Sequence, residues 1–167
     1  WNGRPIQASS NVMTQQDGSL LEVIPAEHGP WTNGDVNRPL NTATELLHRG
    51  GNPNIWSWTL EAEGMPTTTF TPEHWETIVW AFDQQLKAHK HLDPRKDILP
   101  HGAINSVDKS SCGLYVPRLI AELVGDHRPS LDRIGTVTRY ASPITVRVTA
   151  GLGLNIRQWG ELDQPII

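Results

Sequence analysis

The stretch from Thr71 to His89 is the one segment of this chain long and periodic enough to dictate its own structure. Thr71-Pro72-Glu73 reads as a helix start. The threonine hydroxyl can cap, the proline suits the first helical position, and the acid suits the positive end of the helix dipole. Trp75, Ile78, Val79, Phe82 and Leu86 then recur at helical spacing. The pattern predicts an amphipathic helix over 72–89 with one face turned to a core. A second helix is predicted over 116–124, with Leu119, Ile120 and Leu123 on its apolar face, and a weaker one over 40–48.

The strand signals are shorter. Val12-Met13-Thr14 and Leu20–Ile24 flank Gln16-Asp17-Gly18, and Asp-Gly supplies the positive-φ positions of a tight hairpin turn. Residues 55–61, Ile-Trp-Ser-Trp-Thr-Leu-Glu, alternate as a strand. Trp56, Trp58 and Leu60 share one face, and Glu61 ends the strand on the other. Asp97–Leu99 is expected as a short strand leading into Pro100-His101. Helices around a mixed central β-sheet make the expected fold class α/β. Residues 126–143, rich in Gly, Pro, Asp, Arg and Ser, read as a linker. Residues 144–157 alternate again, and 144–167 read as the opening of a second, β-rich module.

Composition narrows the function. Lys and Arg number 14 against 18 Asp and Glu, a net charge of −4. That balance argues against gripping nucleic acid by bulk charge. No apolar run is long enough for a membrane helix, and no secretory signal is visible. A single cysteine excludes an internal disulfide framework. Seven Trp outnumber two Phe and two Tyr, a skew toward residues that often serve interfaces and ligand platforms.

His101 and Cys112 carry the chemical signal. Imidazole with thiolate is a zinc-like donor pair, and the eleven-residue interval fits a loop that leaves and returns to the same point. The residues alone leave Cys112 open as a buried bystander, a nucleophile or a metal ligand. A thiol hydrolase using Cys112 with His101 lacks an evident Asn or Asp orienter.

The run His101-Gly-Ala-Ile-Asn-Ser-Val-Asp-Lys109-Ser-Ser-Cys112-Gly113 resembles the zinc motif of the type 2 N-acetylmuramoyl-L-alanine amidases, which are related to peptidoglycan-recognition proteins. In that family a His is followed by a loop ending in Lys or Arg, then by Asp or Cys with Gly close behind. Many members place Pro between the Cys and the Gly; here Gly113 follows Cys112 directly. Ser57–Gly64 is similar to the family's central strand, which ends in Glu-x-Glu-Gly. Ala8–Pro25 is similar to its preceding hairpin, and Trp31-Thr32-Asn33-Gly34 to its Ala-Trp-His-Ala-Gly segment. The similarity covers about residues 8–124.

The resemblance implies zinc held by His101 and Cys112, Lys109 near the scissile amide, and Glu61 as general base. Trp31 and Trp56 would line a sugar-binding cleft. It implies an amidase domain over 1–125, the linker over 126–143, and the beginning of a bacterial SH3-like wall-binding module over 144–167. The implied activity is hydrolysis of the amide between N-acetylmuramic acid and L-alanine. The partner would be bacterial peptidoglycan, with no nucleic acid or membrane, and the chain is expected to be a monomer. It would act on the cell wall as a secreted or phage-encoded protein, in the manner of an endolysin. The family's first zinc ligand lies in a His-His-Thr-type segment that this sequence lacks, so the amidase part is expected to be truncated at its N-terminus. His28 is a weak substitute, better read as a surface histidine. The alternative is a non-catalytic peptidoglycan-binding module of the same fold.

Overall fold

The computed structural model describes residues 10–48, 52–65, 67–125 and 137–139. It is an α/β arrangement. Strands β1 (Val12–Thr14), β2 (Leu20–Glu22), β3 (Leu60–Ala62) and β4 (Val137–Arg139) form one sheet in the order β3-β1-β2-β4. β1 and β2 are antiparallel, while β3 runs parallel to β1 and β4 parallel to β2, so the sheet is mixed. The hairpin turns where Asp-Gly predicts it, with Gly18 at φ +81°. Gly18 is also the close-approach point, since a Cβ there would lie 2.9 Å from the Cβ of Glu73.

Helices α1 (Asn41–Leu47), α2 (Pro53–Trp56), α3 (Pro72–Ala88), α4 (Pro94–Asp97), α5 (His101–Ile104) and α6 (Val116–Val124) complete the described elements. α3 starts as its sequence dictates: the Thr71 side chain accepts from His74 N–H, with Pro72 and Glu73 in the first turn. One side of α3 places Ala81 against Val12 and Leu20 of the hairpin, with Trp58, Leu60 and Trp80 around them. Its other side joins Trp75, Ile78 and Val79 to Val116, Leu119 and Leu123 of α6 and to Ile98. The indole N–H of Trp75 donates to Glu122 at 2.7 Å, pinning the two helices. α3 is thus the middle layer.

Three local expectations are corrected. Ile55 and Trp56, expected to begin the strand over 55–61, instead belong to the helix Pro53–Trp56. Asn52 caps the Asn54 N–H, Pro53 fixes the first turn, and Ser57 donates to the Pro53 carbonyl at 2.6 Å. These contacts outweigh the apolar alternation, and pairing with β1 begins at Leu60. The faces still alternate beyond the helix: Trp58 and Leu60 pack on the core, while Ser57 and Thr59 bond to the loop at 32–33. Asp97–Leu99 is not a strand. Asp93 caps α4, which ends at Asp97, and Ile98 is buried among α3 and α6. Within the expected linker, Val137–Arg139 is instead the strand that completes the β2 edge, because β2 offers an unpaired backbone there. The rest of 126–167, including the expected SH3-like segment, and residues 1–9 lie outside the described residues.

Two measurements test this packing. Ile78 is fully buried, so Ile78→Ala should cost about 2–5 kcal/mol in urea unfolding, with the cavity adding to the lost transfer energy. His74 is also fully buried, its Nε2 lying 2.9 Å from Thr14 Oγ1. Burial pushes its imidazole below the ordinary 6.5, with Glu63, the Thr14 backbone and Asp17 opposing. Below pH 6.5 the unfolded chain therefore binds a proton that the folded chain refuses, and stability falls with falling pH. His74→Gln, which keeps a partner for Thr14, should flatten the stability slope between pH 6.5 and 5. An unchanged slope would remove His74 from the acid sensitivity.

Candidate functional site

A cleft of about 710 Å³ opens between β3, α5, the 105–113 loop and the 31–35 loop. Glu61, His101, Lys109 and Cys112 all line it, and so do Trp31 and Trp56. The six residues given a site role from the sequence thus border one cleft. His28 does not line this cleft but a neighbouring hollow.

The 105–113 loop folds back tightly on α5. Asn105 organises its first turn, its side-chain oxygen accepting from the Val107 and Asp108 N–H groups. Cys112 N–H then donates to the Lys109 carbonyl at 2.8 Å, and Gly102 N–H donates to the Cys112 carbonyl at 3.2 Å. This closure needs glycine at 102, where a Cβ would sit 2.8 Å from the Lys109 carbonyl oxygen and 3.0 Å from that of Ser110. Gly113, at φ +82°, passes equally close to Pro100. A loop that returns its cysteine to the histidine thus forms without the strand expected before His101.

His101 is oriented from the opposite side. Its Nε2 lies 2.9 Å from the Asn33 carbonyl oxygen. A carbonyl can only accept, so Nε2 carries the proton and Nδ1 of the neutral ring holds the lone pair. Burial pushes the His101 imidazole below 6.5, Lys109 adds to that, and the Asn33 carbonyl opposes it. The carbonyl is itself fixed, because Asn33 N–H donates to Asn54 Oδ1 at 2.8 Å and its side-chain amide to Ser57 Oγ at 3.0 Å.

The charges in the cleft compete. Burial raises the Glu61 carboxyl above its ordinary 4.5, and the Lys109 ammonium pulls it back. Burial also raises the Cys112 thiol, with Lys109 opposing and Glu61 reinforcing. Tyr115, just past Cys112, lines the same cleft. Its ring stands edge-on to Phe70 and Trp75, and burial keeps its phenol protonated, with Glu61 and Cys112 adding to the effect. Sequence reading passed over Tyr115 and Asn33. The nearness of Tyr115 to the cysteine motif was an available signal, whereas a backbone carbonyl leaves no mark in residue type.

His101 Nδ1 and Cys112 are nitrogen and sulfur donors of the kind that suit zinc. Among the described residues, no group of three His, Cys, Asp or Glu side chains is placed to hold a metal. No described helix is long and apolar enough to cross a membrane. Comparison with protein-family models, with curated proteins and with solved structures finds no match.

Gly102→Ala tests the loop closure. The new methyl meets backbone oxygens that cannot swing aside, so stability should fall by about 1–3 kcal/mol, the usual cost of overpacking. The change should also alter the environment of the sole thiol, read as a changed alkylation rate of Cys112 in the folded protein. Wild-type values for both would mean that the loop sits less tightly on α5.

Proposed function

We propose that the chain is a zinc-dependent peptidoglycan hydrolase cleaving the amide between N-acetylmuramic acid and L-alanine. The observation that carries this reading is the convergence of Glu61, His101, Lys109 and Cys112 on one cleft bordered by Trp31 and Trp56. Those residue types are ones that amide hydrolysis at a zinc site uses, and the motif resemblance supplies the substrate.

His101, through Nδ1, and Cys112, through its sulfur, are the two residues that would hold the metal. The donor chemistry fits zinc, and the described residues supply two of the three protein ligands a catalytic site uses. Zinc in such a site supplies Lewis-acid polarisation of water and of a carbonyl. The remaining roles belong to the chain. Glu61, raised toward neutrality by burial, is suited to take a proton from water and return it to the departing amine of L-alanine. Lys109 carries positive charge into the same cleft, where negative charge grows on the amide oxygen. Trp31, 56% exposed at the rim, offers a flat apolar face to a sugar ring.

Two experiments test the proposal. With zinc supplied, purified peptidoglycan should yield new L-alanine amino groups, and Lys109→Ala should lower kcat roughly a hundredfold, the scale for losing one preorganised oxyanion donor. Since Lys109 holds Glu61 down, the same variant should move the acid limb of the rate profile to higher pH. Cys112→Ser should weaken zinc retention on dialysis, because a hydroxyl is a far poorer ligand than a thiolate. Binding of peptidoglycan without release of amines would favour the non-catalytic module instead. Unchanged zinc affinity in Cys112→Ser would take the thiol out of the site.

A further inference from the structure

β3 has a neighbour on one side only. Among the described residues the sheet order ends with β3, so its edge away from β1 carries no strand. The hydrogen bonds fix which backbone groups face that edge. The Thr59 carbonyl accepts from Val12 N–H at 3.2 Å, and Glu63 N–H donates to the Thr14 carbonyl at 2.8 Å. Residues 59, 61 and 63 thus turn their backbone toward β1. The N–H and C=O groups of Leu60 and Ala62 point the other way.

That edge borders the first cleft, which residues 59–65 line without a break. Residues 98–100 line it too. They are extended, with Ile98 at φ −99° and ψ 116° and Pro100 at φ −69° and ψ 148°. Among the described residues, neither Ile98 nor Leu99 makes a backbone hydrogen bond. This is the segment expected as a strand, and it is not one because it has no ladder partner. Two stretches of extended backbone therefore present polar groups to one space. Its floor is apolar, since Leu60, Ala62, Ile98 and Val116 belong to a single cluster. Backbone polar groups beside such a floor are the kind that proteins pair. A polypeptide strand matches them best, because its own donors and acceptors alternate at the same spacing.

The charges select the sequence of that strand. Carboxylates of Asp35, Glu61, Glu63, Asp97 and Asp108 line the cleft, against the cations Lys109 and Arg118. The Arg118 guanidinium is already engaged, 3.9 Å from the centre of the Trp75 ring and 3.4 Å from Glu122. Lys109 acts on Glu61. The balance is acidic. Acids beside an open edge repel neutral and acidic strands less selectively paired, and they welcome a basic one. An added strand would place alternate side chains on the apolar floor and the others toward the acids.

We infer that the free edge of β3 is a docking site for an extended segment of another protein, alternating apolar and basic residues, which adds as a fifth strand. The inference stands apart from the peptidoglycan reading, since it uses only the edge, the floor and the charge of the cleft. A bound strand would cover Glu61 and so compete with any substrate there.

The test uses the intact chain without added metal. The probe is the peptide Lys-Val-Lys-Val-Lys-Val, acetylated and amidated at its ends. At saturation it should slow hydrogen exchange at the Leu60 and Ala62 amides about tenfold, which attraction between charges alone would not do. The counterpart Glu-Val-Glu-Val-Glu-Val should bind at least about tenfold more weakly. Asp35→Asn, at an exposed position, should weaken binding about threefold, the scale of one exposed ion pair. Two further peptides are N-methylated on every lysine or on every valine. Alternate N–H groups of a strand face opposite edges, so at least one version should lose about tenfold in affinity while the protein stays unaltered. No binding at millimolar peptide, unchanged exchange at Leu60 and Ala62, equal affinity for the acidic counterpart, or full affinity in both methylated versions would overturn the inference. None of these readouts involves zinc or peptidoglycan, so release of L-alanine amines passes or fails separately.

Discussion

The side chain of Asn11 is the constraint on which the geometry around both cavities rests. It is almost fully buried. Its oxygen accepts from Thr59 N–H at 2.9 Å, and its amide nitrogen donates to three carbonyls of the 24–28 loop. Its backbone carbonyl accepts from Val23 and Ile24 N–H groups. One residue thus ties the start of β1 to the approach to β3 and to the chain leaving β2. A three-residue strand has too few ladder bonds to fix its own register, and a one-residue slip would turn Glu61 to the opposite face. The Asn11 clamp sets that register from outside the strand. Burial makes the clamp stronger, since each of these polar groups would otherwise be left without a partner in a site poor in water.

Within the cleft, burial and charge pull in opposite directions on the same groups. Desolvation favours the neutral forms of Glu61, His101 and Cys112 alike. Lys109 opposes this for the two acids and reinforces it for the imidazole. The outcome is a neutral imidazole with a free lone pair beside acids whose ionisation depends on one cation. The backbone that carries that cation is held by packing. The Lys109 backbone is held by its N–H bond to the Asn105 carbonyl and by the contact of its own carbonyl with Gly102.

Sequence legibility followed the range of the forces involved. α3 and α6 could be read almost to the residue, because capping and apolar periodicity act within a few positions. The hairpin was legible from Asp17-Gly18 for the same reason. Residues 55 and 56 were misread because alternation of Trp56, Trp58 and Leu60 suggested a strand, while the competing Asn52-Pro53 start signal was passed over. The pairing of Val137–Arg139 with β2 could not be read at all, since nothing local marks a strand that joins a sheet more than a hundred residues away. The candidate site was legible as a set of residue types in a motif. Its orientation was not, because the Asn33 carbonyl that turns His101 belongs to a loop whose path depends on Asn54 and Ser57.

Several of the places where local rules are broken lie at or beside the cavities. A carboxylate sits on a short strand at the cleft wall, and Gly102 and Gly113 replace side chains with bare backbone contact. An exposed indole and the exposed Ile55 border the openings. Each feature costs folding free energy, and none is needed to bury α3, whose core is complete without them. Gly102 illustrates the point. With alanine there the loop would have to stand off α5, Cys112 would move away from His101, and the hydrophobic layers would stay as they are. Glycine at position 102 thus lets the loop that carries Cys112 close on α5, the helix that His101 begins.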